Sequence, residues 1–288
     1  MKTHIVKRLE KIRNLPTLPE VIHKLGEEIR DPKSDARRVA ALIEDDPSMM
    51  ARILKVVNSA FYSGIEPITS VQQAVTRMGF NAINNIALST SVFATFDKSV
   101  EVGFDRKEFW RHCVCTGIAA NIVYNRVKQN ISKYYTLDLL HLLGLLHDTG
   151  KIIFEQFFHD EFRISLRESA KRKIPLFHIE LECIGSDHAQ VGAWLGKKWR
   201  LSEEVIEVIR WHHEPDNATE QYRDLVMLCH MANYVCNVKK IGNSGDETAP
   251  AFFHSVWKRM GLEASDIPPM IEKVKEESEK SEILLTFI

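Results

Sequence analysis

Cysteine offers little to build on. The five residues (Cys113, Cys115, Cys183, Cys229, Cys236) form no CxxC pair. An odd, unpatterned set argues against a disulfide frame and for reduced thiols in a cytoplasm, acting as small buried hydrophobes. No run of about 18 uncharged apolar residues occurs, so no membrane partner is expected. The opening MKTHIVKRLEKIRNLPTLPE lacks the apolar core of a signal peptide. Positive charge is also missing. The formal net charge is -1, which leaves no basic field for phosphate backbones, so no nucleic-acid partner is expected. Strand alternation is absent too. Glycine (13) and proline (10) are sparse in 288 residues and fall mostly between segments of helical period.

Those segments are plentiful and predict an all-α fold. LPEVIHKLGEEIRD spaces Val21, Ile22, Leu25 and Ile29 three and four apart and stops before Pro32. SDARRVAALIEDD opens on Ser34 as a cap candidate and places Val39, Leu42 and Ile43 on one face. PSMMARILKVVNSAF carries Pro47 in its first turn. The texture turns polar between Phe96 and Asp105, in DKSVEVGFDR, and a second helical region follows. KKIGNSGDETAP reads as a loop. The end, IEKVKEESEKSEILLTFI, reads as a charged helix whose last apolar residues dock back on the body. The expected division is residues 1–100, 101–240 and 241–288.

Chemistry concentrates in the second region. LLGLLHDTGKIIF sets His147, Asp148 and Lys151 between apolar runs. Burying that pair without partners would be costly. Upstream, KEFWRHC puts Glu108 one helical turn before His112. Downstream, GSDHAQVGAWL places His188 at a helix start, and VIEVIRWHHEPD places His212 and His213 at a helix end before Pro215. LCHMANYVC holds His230 and Asn233. Imidazole nitrogens with carboxylate oxygens suit first-row divalent ions. One carboxylate can bridge two such ions about 3.5–4 Å apart, and Lys151 can hold a phosphate oxygen as a point charge. Plainer readings stand beside these. A Glu–His pair four apart is usually a surface pair. His4, His23, His141, His159, His178, His230 and His254 read as surface or core residues.

GLLHDTGK resembles the HD superfamily of metal-dependent phosphohydrolases. LPTLPEVIHKL, LIEDDPSMMARILKVVNSAFY, ITSVQQAVTRMGF and NNIALSTSVFATF resemble the HDOD domain, a helical module of bacterial signalling proteins. The resemblance runs from about residue 10 to about 240. It implies an N-terminal helical bundle and an HD-like helical core. Set beside the related HD-GYP phosphodiesterases, it implies a metal set of Glu108, His112, His147, Asp148, His188, His212, His213 and Asn233. Asp148 and Lys151 would carry any catalysis. One or two first-row ions are implied, iron or manganese first, with zinc or nickel as alternatives. Two positions depart from the relatives: Asn233 stands where they have aspartate, and NATEQY follows WHHEPD where they have a Gly-Tyr-Pro segment. The role implied is a signalling module with a signalling-protein partner. The alternative is a phosphohydrolase or phosphodiesterase taking a phosphate-containing small molecule, a nucleotide or cyclic dinucleotide.

Overall fold

The computed structural model describes residues 2–59, 62, 66–96, 104–249, 251 and 253–280. Among these residues every regular element is a helix, as the periodicity predicts. Contacts divide the chain into two units. One holds residues 16–97 and the chain from residue 277; the other joins residues 1–15 to residues 98–276.

The unit of residues 16–97 is a plain helical bundle. It contains α2 (Glu20–Arg30), α3 (Ala36–Glu44), α4 (Pro47–Val57), α5 (Val71–Met78) and α6 (Phe80–Thr95). Ile22, Leu25, Val39, Ile43, Met49, Ile53 and Ile83 are buried in its core. Helix α3 is capped by Asp35, not by the expected Ser34; the Asp35 carboxylate accepts from the amides of Arg37 and Arg38, both at 2.9 Å. A carboxylate there also meets the positive end of the helix dipole, which a serine would meet only weakly. Pro47 opens α4 as expected, behind an Asp46 cap.

The second unit begins with α1 (Thr3–Glu10). The sequence assigns this segment to the N-terminal bundle, but Arg8 lies over the Phe158 ring at 4.2 Å and pairs with Glu161 at 2.9 Å. The unit then runs through α7 (Arg106–Val127), α8 (Leu137–Leu146), α9 (Thr149–Phe157), α10 (His159–Arg172), α11 (Leu176–Cys183) and α12 (His188–Lys198). It continues with α13 (Glu203–Trp211), α14 (Arg223–Val238), α15 (His254–Met260) and α16 (Ile267–Lys280) as far as Glu276. Residues 241–276 belong to it rather than forming a separate end. The expected boundary near residue 100 and the apolar terminus from residue 281 lie outside the described residues.

Two close helix crossings shape the centre of this unit. Helix α7 meets α8 where Gly144 faces Gly117; a Cβ on Gly144 would stand 2.2 Å from the Gly117 nitrogen. Helix α9 meets α12 at Gly150, where a Cβ would stand 1.9 Å from the His188 carbonyl oxygen. Only glycine allows that approach. The glycine of HDTGK is therefore what brings the His147–Asp148 pair up to His188.

Candidate metal centre

His147 caps the end of α8, and Asp148 occupies the N-cap position of α9. The pair thus lies in a break between two helices. Within one regular helix, neighbouring side chains diverge by about 100°; the break lets both face one point. His188 is the first residue of α12, behind an Asp187 cap. His212 caps α13 and His213 follows it, as the WHHEP pattern predicts. His112 comes inward from α7. All are fully buried except His213, which is 7% exposed.

Asp148 is the hub. Its Oδ1 stands 3.1 Å from His188 Nε2 and 3.4 Å from His212 Nε2. Its Oδ2 stands 3.3 Å from His147 Nε2 and 4.0 Å from His112 Nε2. His213 Nε2 stands 2.8 Å from His188 Nε2. Two groups with ligand geometry result: Asp148 with His188, His212 and His213, and Asp148 with His112 and His147.

The far nitrogens of these rings decide what the near ones can do. His147 Nδ1 donates to the Gly144 carbonyl at 2.6 Å, and His212 Nδ1 donates to the Ile209 carbonyl at 2.9 Å. A carbonyl only accepts, so Nδ1 carries the proton in both rings and a neutral ring leaves Nε2 as a bare lone pair. Burial pushes the His212 pKa down to about 4, so that ring stays neutral. His147 Nε2, His212 Nε2 and Asp148 Oδ1 have no hydrogen-bond partner although buried. Buried polar atoms without hydrogen-bond partners therefore converge on this carboxylate, an arrangement that costs free energy until a cation enters. The residues fit a metal ion. Orienting the free nitrogen by a hydrogen bond from the other is also how ligating histidines are held.

His188 is held differently. Glu180 Oε2 accepts from its Nδ1 at 2.6 Å and from its backbone amide at 2.8 Å. Burial alone would lower this histidine's pKa; Glu180, with Asp148, outweighs burial and raises it to about 10, so an ion at Nε2 would displace a proton. Burial, then the neighbouring His212 and His188, lower the pKa of His213. Its ring stacks on Phe177 at 4.5 Å.

Three predicted residues sit otherwise than the sequence suggests. Glu108 does not join the group. It lies in the first turn of α7, where its half-exposed carboxylate pairs with Arg111 at 3.1 Å. Asn233 is buried on α14, with its amide oxygen accepting from Asn237. Lys151 does not reach outward for phosphate. It is fully buried, and its ammonium donates to Asp148 Oδ2 at 2.7 Å, to Asp246 Oδ2 at 2.8 Å and to the Ser244 carbonyl at 2.9 Å. An ammonium has three donors, so none is left over. Burial opposes that charge, but the two aspartates outweigh it and hold the lysine well above its usual range.

Glu180, Ser244 and Asp246 escape the sequence reading. Glu180 carried a weak signal, a carboxylate in the apolar stretch LFHIELEC before His188. Asp246 carried none, because GNSGDET has the composition of a solvent loop. His230, read as structural, donates from Nδ1 to the His212 carbonyl at 2.7 Å and so fixes the end of α13.

Comparison with known proteins agrees with this architecture. A relative from Treponema pallidum (strain Nichols), itself uncharacterized, is 30% identical over 227 residues. The match covers 78% of this chain but only 42% of that protein, so the chain spans less than half the length of its relative. A crystal structure of an HDOD domain protein of unknown function from Geobacter sulfurreducens is 22% identical with a TM-score of 0.74, covering 97% of this chain and 98% of that one. A provisionally assigned signal transduction protein from Marinobacter aquaeolei VT8 gives a TM-score of 0.76 at 20% identity, covering 100% of this chain and 62% of that one. At such identities the structures attest the fold. The HDOD domain profile itself matches residues 15–215; with most of the chain inside that match, this protein belongs to the HDOD family.

Proposed function

We propose that this chain is a signalling or regulatory HDOD module that holds a divalent metal ion as a resident, buried part of its fold. The observation that carries this reading is the complete internal commitment of Lys151 beside the unsatisfied buried atoms of His147, His212 and Asp148. The pocket is made for a cation, while the one lysine suited to a phosphate has no donor left. Asp148, His188, His212 and His213 would hold the ion, with His112 and His147 on the opposite oxygen of Asp148. A bound first-row ion would supply positive charge and Lewis acidity. Glu180 and the Gly144 and Ile209 carbonyls orient the rings. Lys151 neutralises Asp148 from the other side. Asn233, at a position where the related phosphodiesterases have aspartate, adds no charge. The partner expected for such a module is another signalling protein.

A phosphohydrolase is the second reading, favoured by one observation: His213, stacked on half-buried Phe177, is the site histidine nearest to solvent. The test is hydrolysis by manganese- or iron-loaded protein of bis-p-nitrophenyl phosphate and of a panel of nucleotides and cyclic dinucleotides. The expected rate equals that of His147→Ala/Asp148→Ala. Metal-dependent turnover lost in that variant would replace the proposal with the second reading.

A further inference from the structure

The loop of residues 243–246 joins four helices around the candidate centre. Asn243 donates its amide to the Glu108 carbonyl on α7, the helix of His112, at 2.9 Å. Ser244 donates from Oγ to Asn237 Oδ1 on α14 at 2.8 Å, and Asn237 donates in turn to Asn233. The Ser244 carbonyl accepts from Lys151 of α9 at 2.9 Å. Asp246 forks. Its Oδ2 accepts from Lys151 at 2.8 Å, and its Oδ1 accepts from the Leu176 amide at the start of α11 at 3.1 Å. Its side chain is only 5% exposed.

Each arm of the fork ends on a candidate ligand. Through Lys151, Asp246 pins Asp148 Oδ2 and leaves Oδ1 to His188 and His212. Through α11 it holds the helix whose Glu180 fixes both the ring and the amide of His188. Asp246 also adds one negative charge beside Lys151, which would otherwise offset Asp148; Glu180, beside His188, is the other buried carboxylate of the group.

We infer that Asp246 is a positioning residue for the metal centre, acting through Lys151 on Asp148 and through α11 on His188, and offsetting the charge of Lys151 beside the pocket. The inference rests on the reading of the His/Asp group as a metal site. Asp246 lies outside both candidate ligand groups and reaches them through Lys151 and α11.

The test is titration of the chelator-treated full chain with cobalt(II) and manganese(II), following affinity, stoichiometry and the visible absorption of the cobalt form. Loss of a group that orients ligands typically weakens metal binding by about 10–100-fold; that is the expectation for Asp246→Asn, with unchanged stoichiometry and a shifted cobalt spectrum. Ser244→Ala keeps the carbonyl to Lys151 and loses the link to Asn237, so it should weaken binding several-fold and serves if the first variant fails to fold. Glu247→Gln, beside it on the same loop, should bind as wild type does. Asp246→Asn binding within about twofold of wild type with an unchanged spectrum would overturn the inference alone. Wild type that binds neither ion would overturn the metal reading and this inference with it.

Discussion

The two helical units bury different things. In residues 16–97 the buried polar groups among the described residues are three serines and a threonine, with no ionisable side chain. In the other unit the buried set includes His112, His141, His147, Asp148, Lys151, Glu155, Glu180, His188, His212, His213 and His230. The first core is built from apolar burial, worth about 25 cal/mol per Å², with no buried charge to pair among the described residues. The second carries charges that are tolerable only because they are paired: Lys151 with Asp148 and Asp246, Glu155 with Arg106, and Glu180 with His188. On the proposed reading one unit is a scaffold and the other a site, and perturbations of the two should have different signatures.

The largest expected effects come from stranding a charge in the second unit. Lys151→Ala would leave Asp148 and Asp246 buried without their cation, and breaking such a pair costs about 3–5 kcal/mol. Urea unfolding of the metal-free chain measures it, and added divalent ion should restore part of the loss by neutralising Asp148. Ile43→Ala in the scaffold unit should cost a comparable amount, about 2–5 kcal/mol, yet leave metal content unchanged. If Ile43→Ala also emptied the centre, the division into scaffold and site would fail.

Gly150→Ala comes next. The added methyl would collide with the His188 carbonyl, and overpacking of this kind costs about 1–3 kcal/mol. Because the strain falls on the approach of α9 to α12, metal affinity should drop together with stability. A variant that lost stability and kept full affinity would show that the crossing matters only for packing.

The units should also part on pH. Burial lowers the His141 pKa to about 4, against about 6.5 in an unfolded chain. Below about pH 6.5 the unfolded chain takes up a proton that the folded chain refuses, so stability falls as the pH drops from about 6.5 to about 4, by at most about 1.4 kcal/mol per pH unit for this one group. His141→Gln should flatten that slope in the metal-free protein. An unchanged slope would assign the acid sensitivity to other groups. The smallest effect is expected for Asp35→Ala: loss of a cap costs about 1 kcal/mol, with no change in metal content.

How far the sequence could be read follows the same division. Helices α2 to α4 announce themselves through Ile22, Leu25, Val39 and Ile43, because amphipathic spacing is a local property. His147, Asp148, His188, His212 and His213 were legible because polar residues interrupting apolar runs demand partners. Their convergence was not written in spacing alone; it depends on the helix break at His147–Asp148 and on the crossing at Gly150. Glu108 misled because helical phase places it below His112 but says nothing of Arg111 three residues further on. Lys151 misled because its partner, Asp246, lies in a polar loop 95 residues away. Long-range pairing of that kind leaves no periodic trace.

The most direct test of the central claim is elemental analysis of protein purified without chelators, wild type beside His147→Ala/Asp148→Ala. The account predicts one or two first-row ions per wild-type chain and none in the variant. Wild type that carries no ion, even after reconstitution with iron or manganese, would contradict it.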